Sequence, residues 1–271
     1  MRRREFVKMS GILGMLTLTG VLPACNLPFE YSPYDIIVEK EFRDLTAKNL
    51  AKLKAIDAGK SSLKIALISD THTFYDEFEE AVKALNARDD IDFVIHAGDL
   101  TLSALHKEYT WFNEIMSKLN KPFITVIGNH DYLSNGKAIY EKSFGPGNYT
   151  FTFRGCKFVM FDNNIWENKN NDPEFDWFKA NLENDGDYNF VIPVSHIPPW
   201  ADQYNYGNEH VFNEMMEEND IQLSLHGHTH SFYHGKRYDQ VDYLVVGDIA
   251  DKAYAIISID EDSYSIEKVS F

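Results

Sequence analysis

The sequence predicts an α/β fold built on a β-α-β-α-β core, and three observations carry that prediction. From residue 63 onward, short apolar runs alternate with stretches in which apolar residues recur at helical spacing. The runs return at intervals near thirty residues, with 29 residues from Asp70 to Asp99 and 30 from Asp99 to Asn129. Each run ends in a cluster of Asp, His, Asn or Gly. Such units give parallel strands joined by right-handed crossovers, and functional groups then gather beyond the carboxyl ends of the strands.

The N-terminus reads as an address. Arg2, Arg3, Arg4 and Lys8 precede an apolar stretch at 11–22, too short to span a bilayer but suited to a signal-peptide core. It ends Leu22-Pro23-Ala24-Cys25, which resembles a bacterial lipobox with Cys25 as the lipidated residue. Arg3-Arg4-Glu5-Phe6-Val7-Lys8 resembles a twin-arginine export signal. The expectation is a removed segment at 1–24, a tether with one helix at 25–62, and a domain at 63–271. In the tether, Phe42, Leu45, Leu53 and Ile56 recur at helical spacing, which predicts a helix packed on the domain. The chain is expected to be exported and held in the bacterial cell envelope by lipid on Cys25.

Within the domain, the run at 63–69 ends in Asp70-Thr71-His72, and a helix carrying Phe78, Val82 and Leu85 follows. The run at 91–95 ends in His96-Ala97-Gly98-Asp99, before a helix with Leu105, Phe112, Met116 and Leu119 on one face. The run at 122–127 ends in Gly128-Asn129-His130-Asp131. Residues 149–162 read as a hairpin turning at Arg154-Gly155. Asp172-Pro173 reads as a helix start, and Asn208 as the cap of a helix carrying Val211, Phe212 and Met215. Strands at 190–194 and 221–225 end at His196 and at His226-Gly227-His228-Thr229-His230, and the remainder, especially 243–247 and 253–259, reads as β.

The formal charge is -16, from 26 basic and 42 acidic residues, and becomes -19 (22 minus 41) once 1–24 are removed. Such a surface repels nucleic-acid backbones and excludes a nucleic-acid-coating role. Two cysteines give no disulfide framework, and Cys156, in an apolar run, reads as a small buried hydrophobe.

A lone Asp at a strand end is usually a cap, and a lone His is usually structural. Asp70, His72, Asp99, Asn129, His196, His228 and His230 together, all at strand ends and often beside glycine, are harder to dismiss. Mixed nitrogen and oxygen donors suit Mn, Fe, Zn or Co better than Ca or Mg, and seven ligands exceed what one four-coordinate zinc takes. They suit two ions sharing a carboxylate.

At these residues the chain resembles the calcineurin-like metallophosphoesterase superfamily. The motifs stand as Asp70-x-His72, Gly98-Asp99, Gly128-Asn129-His130-Asp131, His196 and Gly227-His228-x-His230, in the family's order over residues 63–230. The resemblance implies a β-sandwich of two mixed sheets flanked by helices. It implies that Asp70, His72 and His230 hold one metal, that Asn129, His196 and His228 hold the other, and that Asp99 bridges them. His130 would not be a ligand and would face the scissile phosphate as general acid or charge stabiliser. A water shared by the two ions would be the nucleophile on a small phosphate ester, monoester or diester. Asp131, Asp162 and His96 are candidates for supporting the ligands. Phe74, Tyr75, Trp200, Tyr204 and Tyr206 are candidates for the substrate loops. The metals would be two divalent or trivalent ions. Mn or Fe is favoured if the chain is exported already folded, and Zn or Co fits the same donors.

Purple acid phosphatases resemble Asp-x-Gly and Gly-Asp-x-x-Tyr patterns, where this chain has His72 and Leu102. The arginine that follows the Gly-Asp pair in protein Ser/Thr phosphatases is also missing. The competing readings are a catalytically silent scaffold on the same fold and a protein whose ions only hold loops. The sequence does not give the oligomeric state.

Overall fold

The computed structural model describes residues 32–56, 59, 61–184, 186–238 and 241–271. The segment expected to be an export signal, and Cys25, lie outside the described residues. Among the described residues, no helix is long and apolar enough to cross a membrane.

Strands β1 (Leu63–Ile68), β2 (Phe93–His96) and β3 (Phe123–Thr125) are separated by helices α2 (Tyr75–Asn86) and α3 (His106–Met116). The three strands pair in parallel, as the thirty-residue repeat requires. Strands β10 (Ala253–Ile259) and β11 (Tyr264–Ser270) extend the sheet antiparallel beside β1, giving the order β11-β10-β1-β2-β3. The second sheet runs β4-β5-β6-β7-β9-β8. It comprises β4 (Tyr149–Phe153), β5 (Cys156–Phe161), β6 (Phe190–Ser195), β7 (Leu223–His226), β8 (Tyr233–Arg237) and β9 (Val241–Val245). Its core, β5-β6-β7-β9, is parallel, while β4 and β8 close its edges antiparallel.

Strand alternation explains the layering. In β1, Ile65 and Leu67 point into the space between the sheets, and Ala66 and Ile68 point to the helices. In β5, Phe158 and Met160 face the first sheet, and Val159 and Phe161 face the helices on the other side. With both faces covered, the strands read as continuous apolar runs rather than as alternating ones. On the outside of the first sheet, α2 presents Phe78, Ala81, Val82 and Leu85, and α3 presents Tyr109, Phe112 and Met116. Helices α5 (Phe175–Leu182) and α6 (Tyr206–Glu218) cover the second sheet through Phe178, Leu182, Phe212 and Met216. This is the two-sheet sandwich flanked by helices that the motifs imply.

Several local expectations are corrected. The N-terminal helix α1 (Leu45–Ile56) seats Leu53 between the sheets, but Phe42 belongs to a preceding 3-10 turn and Ile56 is exposed. Leu119 is buried beyond the end of α3. Helix α5 starts after Glu174 and not at Asp172-Pro173. The Asp172 carboxylate instead accepts the Asn208 side-chain N–H at 2.7 Å. Asn208 is not a cap: Asn205 caps α6 by accepting the Asn208 backbone N–H. Helix α4 (Gly136–Phe144) was not anticipated. Cys156 is buried and free, and burial pushes its thiol up to about 12.

Candidate metal centre

The two sheets end side by side at the carboxyl ends of their parallel strands. Asp70 and His72 follow β1, Asp99 follows β2, and Asn129 follows β3. From the second sheet, His196 follows β6, and His228 and His230 follow β7. The loops are laced together by their backbones: Asp70 N–H donates to Gly98 O and Thr71 N–H to Asp99 O, both at 3.0 Å, and Gly227 N–H donates to His196 O at 3.0 Å. Asp70, His72, Asp99, His228 and His230 all have positive φ, between 43° and 73°. Asp, Asn and His enter this left-handed region more readily than most residues, yet each still costs about 1 kcal/mol. The surrounding hydrogen bonds hold that strain in place.

Space is as tightly set as dihedral angles. A Cβ on Gly128 would lie 2.1 Å from Asp99 Oδ1 and 2.2 Å from Asp99 N, and one on Gly98 would meet the His196 ring at 2.6 Å. Each glycine here permits a close approach of backbone to a ligand side chain.

Two groups of side chains result. Asp70, His72, Asp99 and His230 form one, with ligating atoms within 4.8 Å of one another, and Asp99, His196 and His228 form the other. Asp99 belongs to both. Its Oδ2 lies 3.7 Å from His72 Nε2 and 3.2 Å from His196 Nε2, while its Oδ1 accepts the His130 backbone N–H at 2.9 Å. Asn129 joins the second group, with Oδ1 3.2 Å from His196 Nε2 and 3.0 Å from His228 Nδ1.

The ring orientations are fixed from behind. His72 Nδ1–H donates to Thr101 O at 3.0 Å, and His196 Nδ1–H donates to Ala97 O at 2.7 Å. Each bond aims Nε2 at the centre, the arrangement a metal-ligating imidazole needs. Burial would raise the Asp70 and Asp99 carboxyls, but nearby histidines outweigh it and hold both below the usual carboxylate range: His230 and His196 at Asp70, His196 at Asp99. Burial would lower His196, but the adjoining Asp99 carboxylate raises it to about 9. Burial and the charge of His196 push His228 down to about 4, and contact with Asp70 raises His230.

The donor set fits metal ions. Asp70 is fully buried, and while its Oδ2 accepts the His228 N–H at 3.0 Å, its Oδ1 takes no hydrogen bond. That oxygen stands 3.3 Å from His230 Nε2 and 3.8 Å from His72 Nε2. A buried carboxylate oxygen surrounded by imidazole nitrogens and left without a proper donor is stabilised by a cation.

The remaining candidates divide. His130 stands beside the first group, its ring edge-on to His72 at 4.8 Å, with Nδ1–H donating to Leu102 O at 2.7 Å. Asp131 meets no histidine ring. Its carboxylate accepts from Leu100 N–H, Thr101 N–H, Thr101 Oγ1–H and Gly128 N–H, tying the Asp99 loop to the Asn129 loop. His96 is buried, held neutral by burial at about 3, packed on Phe78 and Phe112, and 3.1 Å from Thr71 Oγ1. Asp162 does not orient a histidine. It accepts from Tyr132 OH and Asn164 Nδ2 and lies 3.5 Å from Lys137 Nζ.

Among the aromatic candidates, Phe74 lies against His72, with ring centroids 6.5 Å apart, and packs on the core. Tyr75 turns to Trp111, and Trp200 packs among Tyr233, Tyr243 and Arg237. Tyr204 is buried, and its hydroxyl accepts from Asn163 Nδ2 at 2.9 Å, so it is a core residue. Tyr206 opens α6, and its side chain lies outside the described residues.

Sequence reading missed Glu167, whose Oε1 lies 3.5 Å from Asn129 Nδ2, and Asp248, 3.7 Å from His230 Nδ1. It also assigned no site role to the exposed Leu102, whose carbonyl accepts from the His130 ring, the exposed Leu133, whose N–H donates to His130 O, or the exposed Trp166 next to Glu167. Neither carboxylate sits in a motif, and no periodicity marks the apolar residues.

The fold and donor set together define a metal-binding α/β sandwich with a hydrolase's open strand-end site. The chain belongs to the calcineurin-like phosphoesterase family, whose model matches residues 63–232, and it is a hydrolase of phosphoric ester bonds. It is similar to the 3',5'-cyclic adenosine monophosphate phosphodiesterase CpdA of Haemophilus influenzae, 24% identical over 196 residues covering 64% of this chain and 72% of that protein. In fold it is similar to a dimetal phosphatase from Danio rerio, with a TM-score of 0.62 and 14% identity over 77% of this chain and 97% of the other. It is also similar in fold to the purple acid phosphatase PPD1 from yellow lupin seeds, with a TM-score of 0.63 and 11% identity over 77% of this chain and 51% of the other.

Proposed function

We propose that this chain is a dinuclear-metal phosphodiesterase. The observation that carries the reading is the pair of ligand groups meeting at Asp99. Asp70, His72 and His230 would hold one ion, Asn129, His196 and His228 would hold the other, and Asp99 belongs to both groups. Two ions in such a site supply Lewis acidity and an activated water at neutral pH. The chain's own part is positional and electrostatic. Thr101 and Ala97 fix the rings of His72 and His196, and Asp131 fixes the two loops that carry Asp99 and Asn129. His130, with Nδ1–H held by Leu102, carries any further proton at Nε2 and delivers it to the departing oxygen. The exposed Leu102, Leu133 and Trp166 beside the site suit an apolar or aromatic ester group. The likeness to a cyclic-nucleotide phosphodiesterase supports the diester over the monoester.

Mn or Fe are the proposed resident metals, on the ground that a twin-arginine substrate folds before it meets tighter-binding divalent ions. The proposed location is the cell envelope, through lipid on Cys25, and the support is the sequence of residues 1–25. Incorporation of a labelled fatty acid that persists in Cys25→Ala would overturn the anchor.

The function is tested by hydrolysis of paired aryl phosphomonoester and phosphodiester substrates and a cyclic nucleotide. The full chain is assayed metal-free and with Mn, Fe or Zn, alongside Asp99→Asn. Metal-dependent turnover of the diesters, lost in Asp99→Asn, is expected. Two bound ions per chain without turnover on any substrate would favour the scaffold reading.

A further inference from the structure

The strand ends at β3, β6 and β7 each contribute a side chain to the second ligand group, yet β5, which lies beside β6, contributes none. Its loop does something else. The Asn163 carboxamide grips both neighbours of His196: Nδ2 donates to Ser195 Oγ at 3.2 Å and to Ile197 O at 2.6 Å, and Oδ1 accepts Ile197 N–H at 3.2 Å. Asn164 Nδ2 donates to Ile127 O at 3.2 Å, two residues before Asn129. Gln203 Oε1 accepts the backbone N–H groups of Ile165 and Trp166. This lacing brings Glu167 Oε1 to within 3.5 Å of Asn129 Nδ2.

We propose that Glu167 is the positioning residue for Asn129, accepting its amide N–H and so turning its amide oxygen toward His196 and His228. The inference rests on the two-metal reading. A primary amide has two unlike ends, and a cation is attracted only by the oxygen. A carboxylate is acceptor-only, so it holds the NH2 end and repels the oxygen. The flipped amide would lose this bond and point its donors at His196 and His228. Glu167 Oε2 is shut off from solvent and takes no hydrogen bond, so the whole carboxylate is available to the amide.

The test is calorimetric titration of the chelator-treated full chain with Mn2+, comparing wild type, Glu167→Ala, Glu167→Gln and Asn129→Ala, with circular dichroism to verify the fold. Wild type is expected to bind two ions. Glu167→Ala is expected to weaken the second by about 10–100-fold and leave the first unchanged. Glu167→Gln, which keeps an acceptor oxygen, is expected to restore most of that loss. Equal second-site affinity in wild type and Glu167→Ala, or equal weakening at both sites, would overturn the positioning role. If Asn129→Ala loses the second ion while Glu167→Ala does not, only the Glu167 proposal fails. If Asn129→Ala keeps it, Asn129 is not a required ligand and the Glu167 proposal fails while the two-metal reading stands; if wild type binds one ion, the two-metal reading fails and takes the proposal with it.

Discussion

Adding one methyl group at Gly128 tests how rigidly the shared carboxylate is held. The Cβ of Gly128→Ala would stand 2.1 Å from Asp99 Oδ1 and 2.2 Å from Asp99 N, where ordinary contact begins at 3.4 Å. The neighbours must therefore separate by about 1.3 Å (3.4 minus 2.1). One of those atoms is backbone, bound into the loop that also supplies the carbonyl acceptor of Thr71, so no rotamer change relieves the clash. Overpacking of this kind costs about 1–3 kcal/mol of stability. A displacement near 1 Å in a reacting constellation costs about 100-fold in rate. Gly128→Ala is expected to melt several degrees lower, to bind the second ion poorly, and to lose about two orders of magnitude in kcat at saturating metal. The assays are differential scanning calorimetry, metal analysis per chain, and steady-state hydrolysis of an aryl phosphodiester. Wild-type kcat with two ions per chain would refute the claim that Asp99 is positioned by close packing.

Three further outcomes follow from the site. Because Asp99 raises metal-free His196 to about 9, its ring carries a proton at pH 7 that an ion must displace. Metal binding should release at least one proton near neutrality, since His230 is also raised, with apparent affinity rising with pH until about 9; calorimetry in buffers of different ionisation enthalpy reads this, and zero release at pH 7 contradicts it. The sign for the metal-free fold is opposite: the Asp99–His196 attraction is fully present below His196's unfolded value and is lost as pH rises through about 9. Asp131→Ala strands four donors, at Leu100, Thr101 (two) and Gly128, and should cost about 3 kcal/mol or more in urea unfolding, whereas a loss under 1 kcal/mol would show that the loops hold without it. On the two-ion reading, His130→Ala should keep the wild-type number of ions per chain and lower kcat by about 100- to 10,000-fold, and a kcat within threefold of wild type would remove His130 from the proposed proton transfer.

The parallel core and the gathering of Asp70, Asp99 and Asn129 were legible because both depend on short-range pattern. Buried parallel strands read as apolar runs, and their ends carry the residues that tolerate tight backbone. Helix boundaries were less legible. Asp172 and Asn208 each have the residue type of a cap but spend their side chains on each other, across 36 residues of sequence. Helix α4 follows Asn135, which makes no side-chain capping bond. Tyr204 reads as a loop aromatic until its hydroxyl is found accepting from Asn163. Glu167 meets Asn129 over 38 residues through a loop with no recurrent spacing, so only the folded chain reveals the contact.

The division of ligands between the sheets has a mechanical consequence. Asp70 and His72 come from one sheet and His230 from the other, 158 residues on from His72, and the Asn129, His196 and His228 set is likewise split. In the two-ion reading, each cation is then a rivet through both layers of the sandwich at one end. The layers cannot slide or part there without releasing it. An ion present at 100 times its Kd adds about 2.7 kcal/mol to the free energy of unfolding, so two ions add about twice that. The durability of the fold would thus track the supply of metal around it, and scarcity would show first as a shortened lifetime of the protein.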